Sequence, residues 1–205
     1  MATMDKKDRK MNQQFKDDWP FFEKILASLR YLKIRKYIDS VSHPICVDIG
    51  CGFHGGFLRR IENRIGGGGD GFDIRANEAK YGKVRIINNS KYHGRVPLKN
   101  EKADCVFMLA VLEHLPVDTP LLSEAVRVLK RNGYFIVTTP APAAKPVLEF
   151  LSFRLHLVSE ESIREHQHYY SKKELQNLMR KHNCRIVKCQ KFQFGFNQLI
   201  VGKKE

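Results

Sequence analysis

The sequence predicts an α/β fold built on a doubly wound, mostly parallel sheet, and three observations carry that reading. The run Ile45-Cys46-Val47-Asp48-Ile49 is short and apolar and breaks at once into Gly50-Cys51-Gly52-Phe53-His54-Gly55-Gly56, as a buried parallel strand turning into a helix requires. Further short apolar runs at 71–74, 84–88, 104–109 and 134–138 are interleaved with helical stretches, the pattern of strands joined by crossover helices. Two more strands, at about 184–191 and 196–202, close the sequence as an antiparallel hairpin.

A length of 205 residues suits one domain with a full-sized core. With 42% apolar and 28% charged residues and no apolar run long enough to span a bilayer, the composition is that of a globular protein outside the membrane. The polar start, Met1-Ala2-Thr3-Met4-Asp5-Lys6-Lys7, lacks the apolar core of a signal peptide. Five cysteines at irregular spacing, with no Cys-x-x-Cys, read as reduced thiols. Together these features point to the cytoplasm. A net charge of +14 admits a nucleic-acid or other polyanionic partner, or an anionic membrane surface. Lysine and arginine are nonetheless scattered, with no arginine-rich tract or basic–aromatic repeat.

Taken in order, residues 1–17 are polar and charged and are expected to be mobile, leaving 18–205 as the single domain. From Trp19-Pro20 the pattern turns helical: Phe22, Ile25, Leu26, Leu29 and Leu32 recur at three- and four-residue steps, and Ile34 to Ile38 follow. The first strand spans 45–49 and is followed by the glycine turn and a helix over about 56–63. Gly66 to Gly69 read as a loose surface loop, because four glycines hold regular structure poorly. An amphipathic helix is expected over 118–131, ended by Lys130-Arg131-Asn132-Gly133, and Pro140 and Pro142 stop the strand at 134–138. The stretch 147–158 is the most apolar helix-like segment. It can be a packing helix, the wall of a greasy acceptor pocket, a dimer surface or a membrane-facing patch, so the oligomeric state stays open. Ser171, with Glu174 three residues on, begins a last helix as a capping box.

The ligand chemistry starts at the glycines. Gly50, Gly52 and Gly55 fit the G-x-G-x-x-G spacing that lets a ligand lie against bare backbone at a helix N-terminus. Asp48, two residues before the first glycine, would repel a pyrophosphate and favours a cationic ligand. S-adenosylmethionine, with a sulfonium and an ammonium, fits this better than NAD. Asp73, about twenty residues beyond the glycines, is placed to accept both ribose hydroxyls.

With these pieces the chain resembles the class I S-adenosylmethionine-dependent methyltransferases, specifically the type 11-like group. The matching motifs are Val47-Asp48-Ile49-Gly50-Cys51-Gly52, Gly71-Phe72-Asp73, Ala103-Asp104-Cys105-Val106-Phe107 and Val111-Leu112-Glu113-His114-Leu115. Arg127 to Gly133 and the strand to Thr139-Pro140 continue the match, which covers about residues 45–205. The resemblance implies a Rossmann-like, seven-stranded sheet with a C-terminal antiparallel hairpin, and S-adenosyl-L-methionine as cofactor with S-adenosyl-L-homocysteine as product. It also implies a cofactor site made of Asp48, Gly50, Cys51, Gly52, Asp73, Ile74, Asn89 and Ala110. The family keeps an acid for the adenine amino group where this chain has Asn88-Asn89-Ser90. An asparagine carbonyl accepts the same hydrogen bond. His54 stands in the glycine loop where many members keep a glycine, so the loop is expected to be reshaped there.

Methyl transfer from a sulfonium is an in-line displacement that asks mainly for positioning and exclusion of water. A base is needed only for an acceptor that arrives protonated. His114, just after the fourth strand, His166 and His168 are the candidates. His114 can equally be a structural residue of its loop, and Glu113 can touch the cofactor or cap a helix. His166 and His168 share one side of an extended segment, but two histidines without a carboxylate- or cysteine-rich set make a weak metal site, and none is expected. The expected function is methyl transfer to a small or lipid-like organic acceptor, with residues 141–170 as the substrate cover. An RNA or protein methyltransferase and a non-catalytic binding partner of the same fold are the alternatives. An NAD-dependent oxidoreductase is disfavoured by Asp48 and the terminal hairpin.

Overall fold

The computed structural model describes residues 21–117, 119–154 and 160–205. The expected mobile segment 1–17 and residues 155–158 of the apolar stretch lie outside the described residues. Helix α1 (Phe21–Asp39) leads into β1 (Ile45–Ile49), the short helix α2 (Gly56–Arg60), β2 (Gly68–Asp73), β3 (Ala79–Tyr81), β4 (Val84–Asn88) and β5 (Ala103–Leu109). Helix α3 (Leu121–Val128), β6 (Leu129–Pro140), α4 (Lys145–Phe153), α5 (Glu160–Arg164) and α6 (Lys172–Lys181) follow, and β7 (Cys184–Phe192) and β8 (Asn197–Lys204) complete the chain.

The strands form one sheet in the order β3-β4-β2-β1-β5-β6-β8-β7. Strands β4, β2, β1, β5 and β6 are parallel; β3, β8 and β7 join antiparallel. Side chains alternate across this sheet, so each central strand feeds two layers. Val47, Ile49, Val106 and Met108 face the layer that receives Leu122, Ala125 and Val128 of α3 and Leu175 and Met179 of α6. Cys46, Cys105 and Phe107 face the other, with Ile34, Tyr37 and Ile38 of α1 and Leu58 of α2. The chain order reverses between β2 and β5 on the two sides of β1, which opens a crevice at the carboxyl ends of these strands.

Three sequence expectations are corrected. The sheet has eight strands rather than seven: β3 is a three-residue edge strand that pairs back on β4 through a two-residue turn opened by Gly82 at φ +51°. So short a strand leaves no legible period. Of the expected loop Gly66 to Gly69, only Gly66 and Gly67 lie in a turn. Gly68 and Gly69 are the first residues of β2 and pair with Ile45 and Cys46 of β1. A Cβ on Gly67 would lie 2.9 Å from the His43 carbonyl oxygen, and one on Gly69 would lie 2.8 Å from Ile65 Cδ1. The His43 backbone presses on Gly66 and Gly67, Gly68 takes φ +100°, and the Ile65 side chain crowds Gly69. The helix expected to reach 131 ends at Val128. Leu129 already pairs with Ala103, and the register shift that follows bends Lys130 to Gly133 into the strand, with Asn132 at φ +64°. A Cβ on Gly133 would meet the carbonyl oxygens of Asp104 and Lys130 at 2.9 Å.

The capping box at Ser171 is present as expected: Ser171 Oγ accepts from Glu174 N at 3.2 Å, and Glu174 Oε2 accepts from Ser171 N at 2.7 Å. The terminal hairpin falls within a residue or two of its expected bounds. Because the His43 carbonyl oxygen as well as the Ile45 side chain crowds a Cβ at Gly67, Gly67→Ala should lower stability by about 1–3 kcal/mol in urea unfolding. At Gly56 no atom lies within 4 Å of the added Cβ, and Gly56→Ala should leave stability unchanged or raise it by up to ~1 kcal/mol.

Candidate functional site

The crevice is built first from backbone. Gly50 follows β1 at φ +77°, and both Gly50 N and Cys51 N donate to Phe72 O of β2, at 2.7 and 3.2 Å. Val111 closes over Gly50, where a Cβ would collide with its methyl groups. Gly52, at φ +73°, has nothing within 4 Å of a would-be Cβ, so its backbone faces open space. Its N–H donates to Asp73 Oδ2 at 3.0 Å, while Arg75 N donates to Asp73 Oδ1 at 2.8 Å. Asp73 is thus held at the end of β2 with one bond on each oxygen and lone pairs to spare. Beside it Ile74 is 68% exposed and Phe53 53% exposed, two large apolar side chains left at the rim. His54 stands its ring edge-on to Phe53, centroids 4.5 Å apart.

Asp48 is the electrostatic centre. It is 2% exposed, and its Oδ1 has no hydrogen-bond partner among the described residues. Burial pushes its carboxyl up to about 8; the Asp73 charge adds to the rise and the Arg30 guanidinium opposes it. Cys51 is pushed up by its own burial and by Asp48 and Asp73; its thiol stays protonated and donates to Gly52 O at 3.4 Å. On the far side of Asp73, Asn88 is committed: its amide donates to Ala76 O, and its carbonyl accepts from Ser90. Asn89 is different. Its backbone N–H donates to Asp73 O at 2.9 Å, while its buried side-chain Oδ1 has no partner among the described residues.

At the end of β5, Ala110 takes a left-handed φ of +58° and donates its N–H to Thr138 O at 2.9 Å. Such strain in a non-glycine residue persists only where its surroundings fix it. A 3-10 turn over Leu112–His114 follows and points Glu113 inward, 1% exposed, with Oε2 lacking a hydrogen-bond partner among the described residues. Burial pushes Glu113 up to about 7, and the Arg30 charge is among the influences that hold it down. Arg30 of α1 therefore acts on Asp48 and Glu113 together. Helix α1 covers the sheet through Ile34, Tyr37 and Ile38 and also delivers a cation to the crevice.

The segment after α5 is tied to this turn by its backbone. Gln167 N and His168 N donate to Glu113 O at 2.7 and 3.3 Å, and Gln167 Nε2 donates to His114 O at 3.0 Å. His114 and His166 are thereby stacked edge to face, centroids 4.7 Å apart. Burial lowers His114, and burial with the neighbouring His114 lowers His166 to about 4, so both rings are neutral at pH 7. His166 Nδ1 meets Tyr169 Oη at 2.9 Å. His168 turns instead to Glu174, Nε2 to Oε1 at 3.0 Å. A cavity of about 490 Å³ opens beside this segment, lined by Pro142, Lys145, Glu149, Phe153, His166 and Tyr169 among others.

The residues picked from the sequence around the glycines converge at the carboxyl ends of β1, β2, β4 and β5, and His114 with His166 forms the neighbouring pair. Arg30, Glu165 and Tyr169 were not anticipated. Arg30 reads only as one more cation on the polar side of a helix, and a carboxylate 3.9 Å from His114 Nδ1, which Glu165 supplies, has no local sequence signal. Among the described residues no helix is long and apolar enough to cross a membrane.

Comparison with known proteins gives the same fold. The structure is similar to an S-adenosylmethionine-dependent methyltransferase of Archaeoglobus fulgidus, with a TM-score of 0.65 and 18% identity over 88% of this chain and 94% of the other. It is also similar to one from Mesorhizobium loti (TM-score 0.65, 13% identity, 86% and 98% covered) and one from Aquifex aeolicus (0.60, 15%, 88% and 92%). Among proteins with curated functions, none matches the chain. The profile of the methyltransferase domain family matches residues 22–189, from α1 into the final hairpin. The chain belongs to the class I methyltransferase family.

Proposed function

We propose that the protein transfers a methyl group from S-adenosylmethionine to a small organic acceptor bound in the cavity beside His166. The observation that carries this reading is Asp48, a buried carboxylate with an unpartnered oxygen behind a glycine turn. A buried acid is costly unless something cationic meets it, and the cofactor's ammonium is such a group. The rest of the crevice suits the same molecule. Asp73 has lone pairs for the ribose hydroxyls, the unpartnered Asn89 carbonyl suits the adenine amino group, and Ile74 and Phe53 offer apolar surface to the base. Gly50, Cys51, Gly52 and Ala110 line the methionine part with backbone.

The cofactor supplies a methyl group on a sulfonium, already activated for displacement. The chain's work is then to position donor and acceptor and to keep water out. His166 lines the cavity and His114 stacks against it, and in this reading the pair takes a proton from a hydroxyl acceptor. The cavity's mixture of Lys145, Glu149, Phe153 and Tyr169 favours a small acceptor with both polar and apolar parts, and its volume is within the usual range for such ligands. The net charge of +14 supports a second reading, a nucleic-acid acceptor, which a steep fall of RNA binding with salt would favour.

Calorimetric titration with S-adenosylmethionine should give one site, and Asp73→Ala should weaken it at least about tenfold through loss of charge-assisted hydrogen bonds. An unchanged affinity in that variant would remove Asp73 from the site, and no binding to the wild type would overturn the proposed reaction. Asp48 gives a pH signature. Its acid is raised from 3.8 to about 8, so the folded apo-protein keeps a proton that the unfolded chain has lost. That stabilising contribution is full below pH ~4 and is lost as pH rises through about 8. Relative to Asp48→Asn, the apo wild type should therefore be less heat-stable at about pH 9 than at about pH 5. At pH 7 the arriving ammonium should displace up to one proton. This is readable as a dependence of the binding enthalpy on buffer ionisation enthalpy and should be absent in Asp48→Asn.

A further inference from the structure

Glu113, His114 and His166 bring one ligand atom each to within 4.8 Å of one another. The first two are adjacent in sequence and the third is remote. The backbone bonds from Gln167 and His168 to Glu113 O, with the Gln167 amide on His114 O, hold the two segments together. Among the described residues, two polar atoms of these side chains, Glu113 Oε2 and His114 Nδ1, are buried with no partner in hydrogen-bond geometry, although Thr139 and the Glu165 backbone lie close enough to influence the two groups. Buried polar atoms left so are rare in folded proteins and ask for an explanation. His166 has its Nδ1 against Tyr169 Oη, the outer contact that typically orients a metal-binding imidazole and leaves Nε2 for the ion. Glu165 Oε2, 3.9 Å from His114 Nδ1, is a fourth donor atom within reach.

We propose that Glu113, His114 and His166 form a binding site for one divalent first-row transition ion, at the edge of the cavity that His166 lines. Two imidazoles and one carboxylate suit zinc, cobalt, manganese or iron(II); magnesium and calcium favour all-oxygen sets, and copper(I) favours thiolates. Ligand atoms about 2.1 Å from a common ion lie roughly 3–4 Å apart, so the widest separation, up to 4.8 Å, needs to tighten by about 1–2 Å, within rotamer adjustment of three side chains. The surrounding charge permits it. Arg30 acts on Glu113 and Arg75 on His114, Lys145 and Arg164 line the cavity, and Arg75 is paired with Glu165 at 3.6 Å. Asp48, Glu113 and Glu165 oppose them. Three protein ligands leave at least one position open, where an acceptor oxygen can bind and lose its proton to solvent; with the ion bound, His114 and His166 are ligands and the ion takes over the activation that the free imidazoles would otherwise give. The ion site stands on the three side chains alone, while its use by an acceptor rests on the methyl-transfer reading above.

The test uses the full chain, freed of metal by chelation and titrated calorimetrically with Zn²⁺ and, for its visible d–d absorption, with Co²⁺. One ion per chain is expected, with a cobalt spectrum showing nitrogen and oxygen coordination. Glu113→Gln and His166→Ala should each weaken binding by at least about tenfold, with far-UV circular dichroism and the thermal midpoint showing that both remain folded. His182→Ala, at the end of α6, should leave the affinity unchanged and so control for adventitious surface binding. Absence of stoichiometric binding, or binding that survives in both site variants, overturns the site. In that case the cluster is a packed pair of neutral imidazoles over a protonated acid. Because the titration contains no S-adenosylmethionine, its failure leaves the methyl-transfer reading standing, and failure of cofactor binding leaves the ion site standing.

Discussion

A carboxylate buried at the end of the central strand sets the terms for the rest of the molecule. Asp48 lies on the same side of β1 as Cys46, in a layer otherwise filled by aliphatic and aromatic side chains. Burying it raises its affinity for a proton, and the Asp73 charge raises it further. The fold tolerates this by keeping the acid protonated near neutral pH, with the Arg30 charge of α1 offsetting only part of the rise. Helix α1 is therefore more than a lid over apolar surface: the same helix that seals one face of the sheet with Ile34 and Ile38 also carries a cation that acts on the buried acid. A buried acid with an incomplete set of partners and a raised proton affinity is a typical signature of a functional site.

Around that acid the site divides into two halves with different architecture. The glycine half is a backbone device. Gly50 is pressed by Val111, Gly52 faces open space, and Asp73 is immobilised by two main-chain N–H groups. The histidine half is a side-chain device, in which two remote segments are joined through the carbonyl oxygens of Glu113 and His114. The capping box at Ser171 begins α6 immediately after this segment and fixes where the chain leaves the site. Glu174, whose Oε2 completes that box, also holds His168 through Oε1, so the cap and the selection of His166 over His168 are coupled. The cavity opens on this second half, where the groups able to move a proton or hold an ion are found.

Much of the glycine half was legible in the sequence. The apolar run into Gly50-Cys51-Gly52 and the acid at Asp73 each carry local chemistry, since positive φ and a strand-end carboxylate have residue-type requirements that survive without context. The capping box and the closing hairpin were legible for the same reason. The glycine run at 66–69 misled because the same residues serve looseness and close approach equally well, and only the neighbouring backbone of His43 decides between them. Lys130 to Gly133 misled similarly: basic charge followed by glycine ends a helix, but it also fits a bent strand pressed on Asp104 O.

By itself the sequence determined the alternation of strands and helices, the glycine turn, the acid before it and the acid twenty residues on, because these rest on period, spacing and backbone conformation. Tertiary structure alone decided that Asn89 rather than Asn88 keeps a free carbonyl and that Arg30 faces Asp48 and Glu113. It alone also brought His166 and not His168 to His114. Each of these depends on contacts between segments far apart in the chain, and no local pattern encodes which distant group a side chain meets.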